Sequence, residues 1–490
     1  MKDNRNEYKQ ILKATSIFGG VQFFNVLISI AKSKIVAILI GTAGLGILGI
    51  LTSTVNLILG ISRLGLDFSS VKEIAASKTN EDKSEVSRKV AITKRLTWLT
   101  GLLGALIILI ISPLLSKIAF GNNDFTIYFI IISVAVFFNQ MTVGNMAILQ
   151  GFNELKKLAK STILASFFSL LFAAIIYYFF GQSGIPWVIV ITAATAYLSS
   201  RYFVLQVSIT KTLISIKNTI IEGKSMLRLG IVLSLGALAS LVNSYSVQIY
   251  ITNSGGVEQV GLFTAGIVLI DSYVLLFFNA LSKDFFPRLS EVASKNSLVK
   301  KAVNKQAIIT VLLLTPIIVL FLIFKSFIVK LLYTEEFLPI VGMISFGIVG
   351  ILFKAVSWVM GFIIIAKGDS KLYVKIEIIS NIVLFVMIVI GYRFKGITGI
   401  GISYMIYYIL YTILIRNVVG NHYKFSFGKD FIRIMITSMF LCFLTLYLVY
   451  LETTFSKSVL LIVVVLFSLV YTLFMLNRFI GLKELIKNKL

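Results

Sequence analysis

From Leu96 to Ser116 the chain reads LTWLTGLLGALIILIISPLLS, a run without a charge that is closed by Arg95 on one side and Lys117 on the other. About 20 such residues, wound as a helix, cross the ~30 Å hydrocarbon core of a bilayer. Outward from this stretch the same pattern recurs at 15–40, 45–66, 96–118, 125–150, 159–180, 184–208, 228–252, 259–282, 306–329, 338–366, 371–392, 397–415, 431–450 and 458–477, which makes fourteen spans. The runs show little alternation of period two and are about twice as long as barrel strands, so the expected fold class is an all-α polytopic membrane protein. Composition agrees, because 58% of the 490 residues are hydrophobic and only 14% are charged, too few for the surface of a soluble enzyme.

The 46 Lys and Arg outnumber the 21 Asp and Glu, for a net charge of +25. The excess sits in short connections: 34 basic residues lie in the termini and even-numbered connections, against five (Lys117, Lys330, Arg393, Lys395 and Lys457) in the odd-numbered ones. That asymmetry predicts both termini in the cytoplasm and an even number of spans. Dispersed in this way, the charge is a topology signal and no nucleic-acid partner is expected. Met1 to Lys13 is polar and lacks a small-residue cleavage pattern, so no signal peptide is expected. Cys442 is the lone cysteine and His422 the lone histidine, which leaves no disulfide and no metal-ligand spacing. The longest connection, Asp67 to Arg95, is too short to fold as a catalytic domain, and no cofactor is expected.

Internal marks suggest a duplication. Gly44-Leu45-Gly46-Ile47-Leu48-Gly49-Ile50 aligns with Gly261-Leu262-Phe263-Thr264-Ala265-Gly266-Ile267 at an offset of 217, and Gln150-Gly151 to Leu155 aligns with Lys367-Gly368 to Leu372 at the same offset. A third mark, Val71 to Ala75 against Leu289 to Ala293, needs 218. The expectation is two six-helix lobes, 1–209 and 228–416, related by a pseudo-two-fold along the membrane normal, with a cytoplasmic linker at 210–227 and an appended pair of helices with a cytoplasmic tail at 417–490.

A charge near the bilayer centre costs several kcal/mol unless it meets water or a partner. Asp271 in span eight and Lys354 in span ten are the deepest by these boundaries. Two readings stand for them, a structural bridge with each other or a place on a cavity wall. Lys32 and Lys34 lie in the outer half of span one, and Arg63 and Asp67 end span two. Uncharged polar residues, among them Gln22, Asn25, Asn56, Asn139, Gln140, Asn243, Tyr245 and Gln248, also fall within spans, where they line a cavity or bond between helices. The substrate-binding candidates are therefore Asp271, Lys354, Lys32, Lys34, Arg63, Asn25 and Asn56. Their positive balance suits an anionic headgroup, whose outward movement an inside-negative potential favours by about 2.3 kcal/mol per charge per 100 mV.

Ala43-Gly44-Leu45-Gly46, Val71-Lys72, Gln150-Gly151-Phe152, Asp271-Ser272-Tyr273, Phe286-Pro287-Arg288-Leu289-Ser290, and Lys354 with Ile365-Ala366-Lys367 together resemble the Wzx-type O-antigen and enterobacterial-common-antigen translocases of the multidrug/oligosaccharidyl-lipid/polysaccharide exporter superfamily. The resemblance implies a flippase for undecaprenyl-diphosphate-linked oligosaccharide, working by alternating access, with Asp271 and Lys354 at charged positions of the family. It also implies association with polysaccharide polymerase and chain-length machinery. The coupling ion, proton or sodium, is not specified. Rival readings are a cation-coupled multidrug exporter of the same superfamily, whose first helix would carry an acid where this span has Lys32 and Lys34, an integral-membrane polymerase or glycosyltransferase, and a non-transporting scaffold.

Overall fold

A computed structural model describes residues 2–79, 83–210, 212, 214–272, 278, 281, 285–451 and 455–480. The helices are α1 (Lys2–Arg63), α2 (Leu66–Thr79), α3 (Lys83–Phe120), α4 (Thr126–Gly151), α5 (Leu155–Phe180), α6 (Ile185–Leu205) and α7 (Ile216–Gly255). They continue with α8 (Val257–Ile267), α9 (Asn296–Leu332), α10 (Ile340–Ala366), α11 (Ser370–Tyr423), α12 (Lys429–Tyr450) and α13 (Phe455–Ile480). Among the described residues, nine helical stretches are long and apolar enough to cross a membrane. Three of them, Leu27–Arg63, Leu155–Leu205 and Ser370–Tyr423, each carry two of the fourteen spans. The chain is a multi-pass membrane protein.

Breaks inside the long helices separate those paired spans. Gly41 (φ 65°, ψ −165°) interrupts α1, and Gly396 (φ 54°, ψ −141°) interrupts α11. A Cβ would clash with the backbone in both conformations, so glycine lets the chain break between two spans without a loop.

The left-handed residues also expose the duplication. Gly41 and Gly256, Asn153 and Gly368, and Gly181 and Gly396 all have positive φ, and each pair is separated by 215 residues. The geometric repeat is therefore two residues shorter than the 217 read from sequence. Several closely spaced glycines, Gly44, Gly46 and Gly49, allow the apolar stretch to be aligned in more than one register.

At an offset of 215, Gly46 matches Gly261 and Thr42 matches Val257. These four residues meet reciprocally: a Cβ on Gly46 would lie 2.0 Å from the Val257 carbonyl oxygen, and one on Gly261 would lie 1.9 Å from that of Thr42. Segments related by a local two-fold exchange partners in this way.

Packing divides the chain into Met1–Gly261 with Leu332–Thr334, and Leu262–Leu331 with Glu335–Leu490. α7 goes with the first unit because it runs along α1, α2 and α3. This is a boundary of packing, distinct from a boundary of repeats.

The connection from Asp67 onward contains a helix of its own, α2, that the span count did not anticipate. Leu66, Ser69, Ser70, Ile74 and Ser77 form its buried face. Ile74 packs with Val90, Ile148, Leu149 and Val204, and its complete burial stabilises this corner by about 2 kcal/mol. In the second unit Val319 of α9 packs with Leu441 and Leu448 of α12 and Val464 of α13, which fixes the last two helices to the ninth span.

Candidate functional site

Directly after α8 the ladder widens to a π-helical turn at Val268–Ser272, and Asp271 lies within that turn. Such a turn inserts an extra residue and re-aims the side chains it holds, a device common at functional sites. Lys354 occupies the middle of α10, between the buried Phe353 and Ala355. Tyr404 lies on α11 past the Gly396 break and is buried.

These three side chains close a ring of hydrogen bonds. Lys354 Nζ donates to Asp271 Oδ1 at 2.6 Å and to the Tyr404 hydroxyl at 3.0 Å, and Tyr404 donates in turn to Asp271 Oδ1. Lys354 Nζ also lies 5.1 Å from the centroid of the Tyr408 ring. The side chains of Lys354 and Asp271 keep 19% and 28% of their surface accessible. Water or a ligand therefore reaches a charge pair held within the spans. The structure brings together the two deepest sequence candidates and adds two tyrosines the sequence reading missed. Their signal was present in Tyr404, Tyr407, Tyr408 and Tyr411, which repeat at helical spacing along one face.

The other candidates are held separately. Lys32 donates to Ser169 at 2.9 Å, which shares a 3.0 Å bond with Thr192, so it ties α1 to α5 and α6. Lys34 donates to the carbonyl of Tyr333. Arg63 pairs with Asp67 at 3.2 Å across the break between α1 and α2, and both remain half-buried. The Asn25 Oδ1 is buried with no hydrogen-bond partner among the described residues, whereas Asn56 is exposed. Gln140 is a structural amide, buried and donating to Thr100 at 2.8 Å. Tyr273 and the side chain of Gln22 lie outside the described residues.

The sequence reading also passed over Lys325. It is 7% exposed in the C-terminal part of α9, donates to Ser345 at 2.6 Å and sits 4.6 Å from the centroid of Tyr450. It lies near the end of span nine, and Ser345 and Tyr450 enclose it.

No group of three or more His, Cys, Asp or Glu side chains that could hold a metal occurs among the described residues. What the ring offers is a charge-assisted switch: a Lys and an Asp that each satisfy the other until an anion or hydrogen-bonding ligand competes.

Residues 35–342 match the model of the family described as "Polysaccharide biosynthesis protein". The chain is 22% identical over 394 residues to the lipid III flippase of Escherichia coli K12, covering 77% of this chain and 90% of that protein. Its fold is similar to that of the lipid II flippase MurJ in an inward closed conformation, with a TM-score of 0.71 and 12% identity over 95% of this chain and 99% of that one. It is also similar to an inward-facing multidrug resistance MATE family transporter of the MOP superfamily, with a TM-score of 0.68 and 16% identity over 82% of this chain and 96% of that one. The matched stretch covers more than half of the chain, and the chain belongs to the polysaccharide biosynthesis protein family.

Proposed function

We propose that this protein is a transporter, not an enzyme, and that it flips an undecaprenyl-diphosphate-linked oligosaccharide of O-antigen type from the cytoplasmic to the periplasmic leaflet of the bacterial inner membrane. The observation that carries the reading is the accessible Asp271–Lys354–Tyr404 ring within the spans of a chain from this family. Support comes from the relative named a lipid III flippase and from a fold shared with a lipid II flippase. Lobes at 1–209 and 228–416, joined by the linker 210–227 and followed by the pair of helices at 417–490, would work by alternating access, with both termini in the cytoplasm. A diphosphate arriving beside Lys354 competes with Asp271 for its donors, which links loading to the breaking of a bond inside the second repeat. Polysaccharide polymerase and chain-length machinery are its partners in this reading, and a proton or sodium ion supplies any coupling.

The test is the appearance of lipid-linked glycan on the far side of proteoliposomes containing purified protein, comparing wild type with Asp271→Ala and Lys354→Ala at matched insertion. Wild type is expected to flip the substrate, and each substitution to lower the rate at least tenfold. Absence of flipping above empty liposomes, together with expulsion of cationic dyes, would replace this reading with a multidrug exporter.

A further inference from the structure

The 215-residue repeat has a consequence for the charged ring. Subtracting 215 from Asp271 gives Asn56, and subtracting it from Lys354 gives Asn139. The second repeat holds an acid and a base at the two positions where the first holds two carboxamides. The left-handed pairs lie at both ends of this stretch, at 41 and 256 and at 153 and 368, so the register is the same on either side of both asparagines.

The two amides differ from the other polar residues of the first repeat. Gln140 and Asn145, adjacent to Asn139 or within two turns of it, are buried and bonded to Thr100 and Ser200. Asn56 is exposed and Asn139 half-buried, and among the described residues neither amide has a protein hydrogen-bond partner. Leaving a carboxamide without a partner in hydrocarbon costs roughly 2–7 kcal/mol. Two such groups within membrane spans are therefore placed to meet water or a ligand. Around Asn56 the surface of span two is polar as well, with Thr52 exposed and Ser53 half-buried.

We propose that Asn56 and Asn139 form the glycan-reading counterpart of the Asp271–Lys354 pair. This rests on the flippase reading. A carboxamide donates two hydrogen bonds and accepts two, so it can serve sugar hydroxyls and acetamido groups in either direction and carries no charge to attract a phosphate. The first repeat then offers amides, suited to the uncharged, hydroxyl-rich part of the substrate, at the positions where the second repeat carries charge. Asn56 and Asn139 are thus specificity-determining residues, and neither is needed to hold the fold.

The experiment measures binding to purified full-length protein of two probes, undecaprenyl diphosphate and the lipid-linked glycan pool extracted from the native bacterium. It compares wild type with Asn56→Leu, Asn139→Leu and the conservative Asn56→Gln, each checked by thermal unfolding. Wild type is expected to bind the glycan-bearing pool more tightly than the bare diphosphate. Each Leu variant is expected to weaken binding of the pool by about three- to tenfold, the value of one lost hydrogen bond, with diphosphate affinity within twofold of wild type. Asn56→Gln should recover part of the loss. Equal weakening for both probes, or no change for either, overturns the proposal while leaving the flippase reading in place. Failure of wild type to bind either probe overturns that reading and the proposal with it.

Discussion

Lys354 spends two donors on Asp271 and Tyr404, so each member of the ring depends on the other two. Removing the Tyr404 hydroxyl takes one donor from the carboxylate and one acceptor from the ammonium. Tyr404→Phe is expected to lower stability by about 1–2 kcal/mol, read as a fall in the thermal midpoint of the detergent-solubilised protein. Lys354→Met leaves a carboxylate uncompensated and is expected to cost about 3 kcal/mol, at the low end for buried pairs because Asp271 is 28% accessible. The double variant Asp271→Asn with Lys354→Asn copies the first repeat's chemistry into the second. It is expected to restore most of the stability while flipping stays lost, and recovery of transport would show that the charges are scaffolding only. Lys325 calls for a different measurement. A double-mutant cycle between Lys325→Met and Tyr450→Leu should yield a coupling of about 1–2 kcal/mol for the enclosed cation and ring.

At the scale of helices, the reciprocal contact of Gly46 and Gly261 admits no side chain, since carbonyl oxygens lie where a Cβ would stand. Gly46→Ala and Gly261→Ala are each expected to force spans two and eight apart at this level. With Cys442 replaced by Ser, a Thr42→Cys/Val257→Cys pair should cross-link readily in the glycine background and poorly once either alanine is present. Undiminished cross-linking would mean that the backbones shift to absorb the methyl group. Outside the spans, Glu335 is held below the usual carboxylate range by its hydrogen bond from Lys330 at 2.7 Å and by that residue's charge. A depressed carboxyl pKa gives stability that is present near neutrality and lost as pH falls through the folded value. The pair is exposed and screened, so Glu335→Gln should match wild type in thermal unfolding at pH 7. Spans were legible in the sequence because about 20 apolar residues have one reading in a bilayer. α2 was not, because its buried face of Leu66, Ser69, Ser70, Ile74 and Ser77 is mostly serine and carries little hydropathy.

For the whole molecule, the excess of basic residues in the even-numbered connections predicts an orientation that a reporter can read. Fluorescent-protein fusions at Met1 and after Ile480 are both expected to glow, as they do only on the cytoplasmic side, and a dark fusion at either end would require an odd number of spans. An anionic headgroup moving outward should respond to voltage. A 100 mV inside-negative diffusion potential is expected to speed flipping in proteoliposomes, and indifference to voltage would point to a compensating cation. Asp271 and Lys354 were visible in sequence as charges out of place, but their pairing was not, since 83 residues separate them and only the folded chain brings them together. Asn56, already a candidate in the sequence, and Asn139 were matched to Asp271 and Lys354 only when positive φ angles set the repeat at 215, because apolar sequences slide past one another without penalty. The glycine contact has one more consequence, a mechanical one. Ten residues, about 15 Å of helix, lead from Gly46 to Asn56, so span two is a lever arm that starts at this fulcrum. A tilt of about 20° about this pivot carries Asn56 through about 5 Å, the width of a sugar ring, with no side chain to repack where the backbones meet.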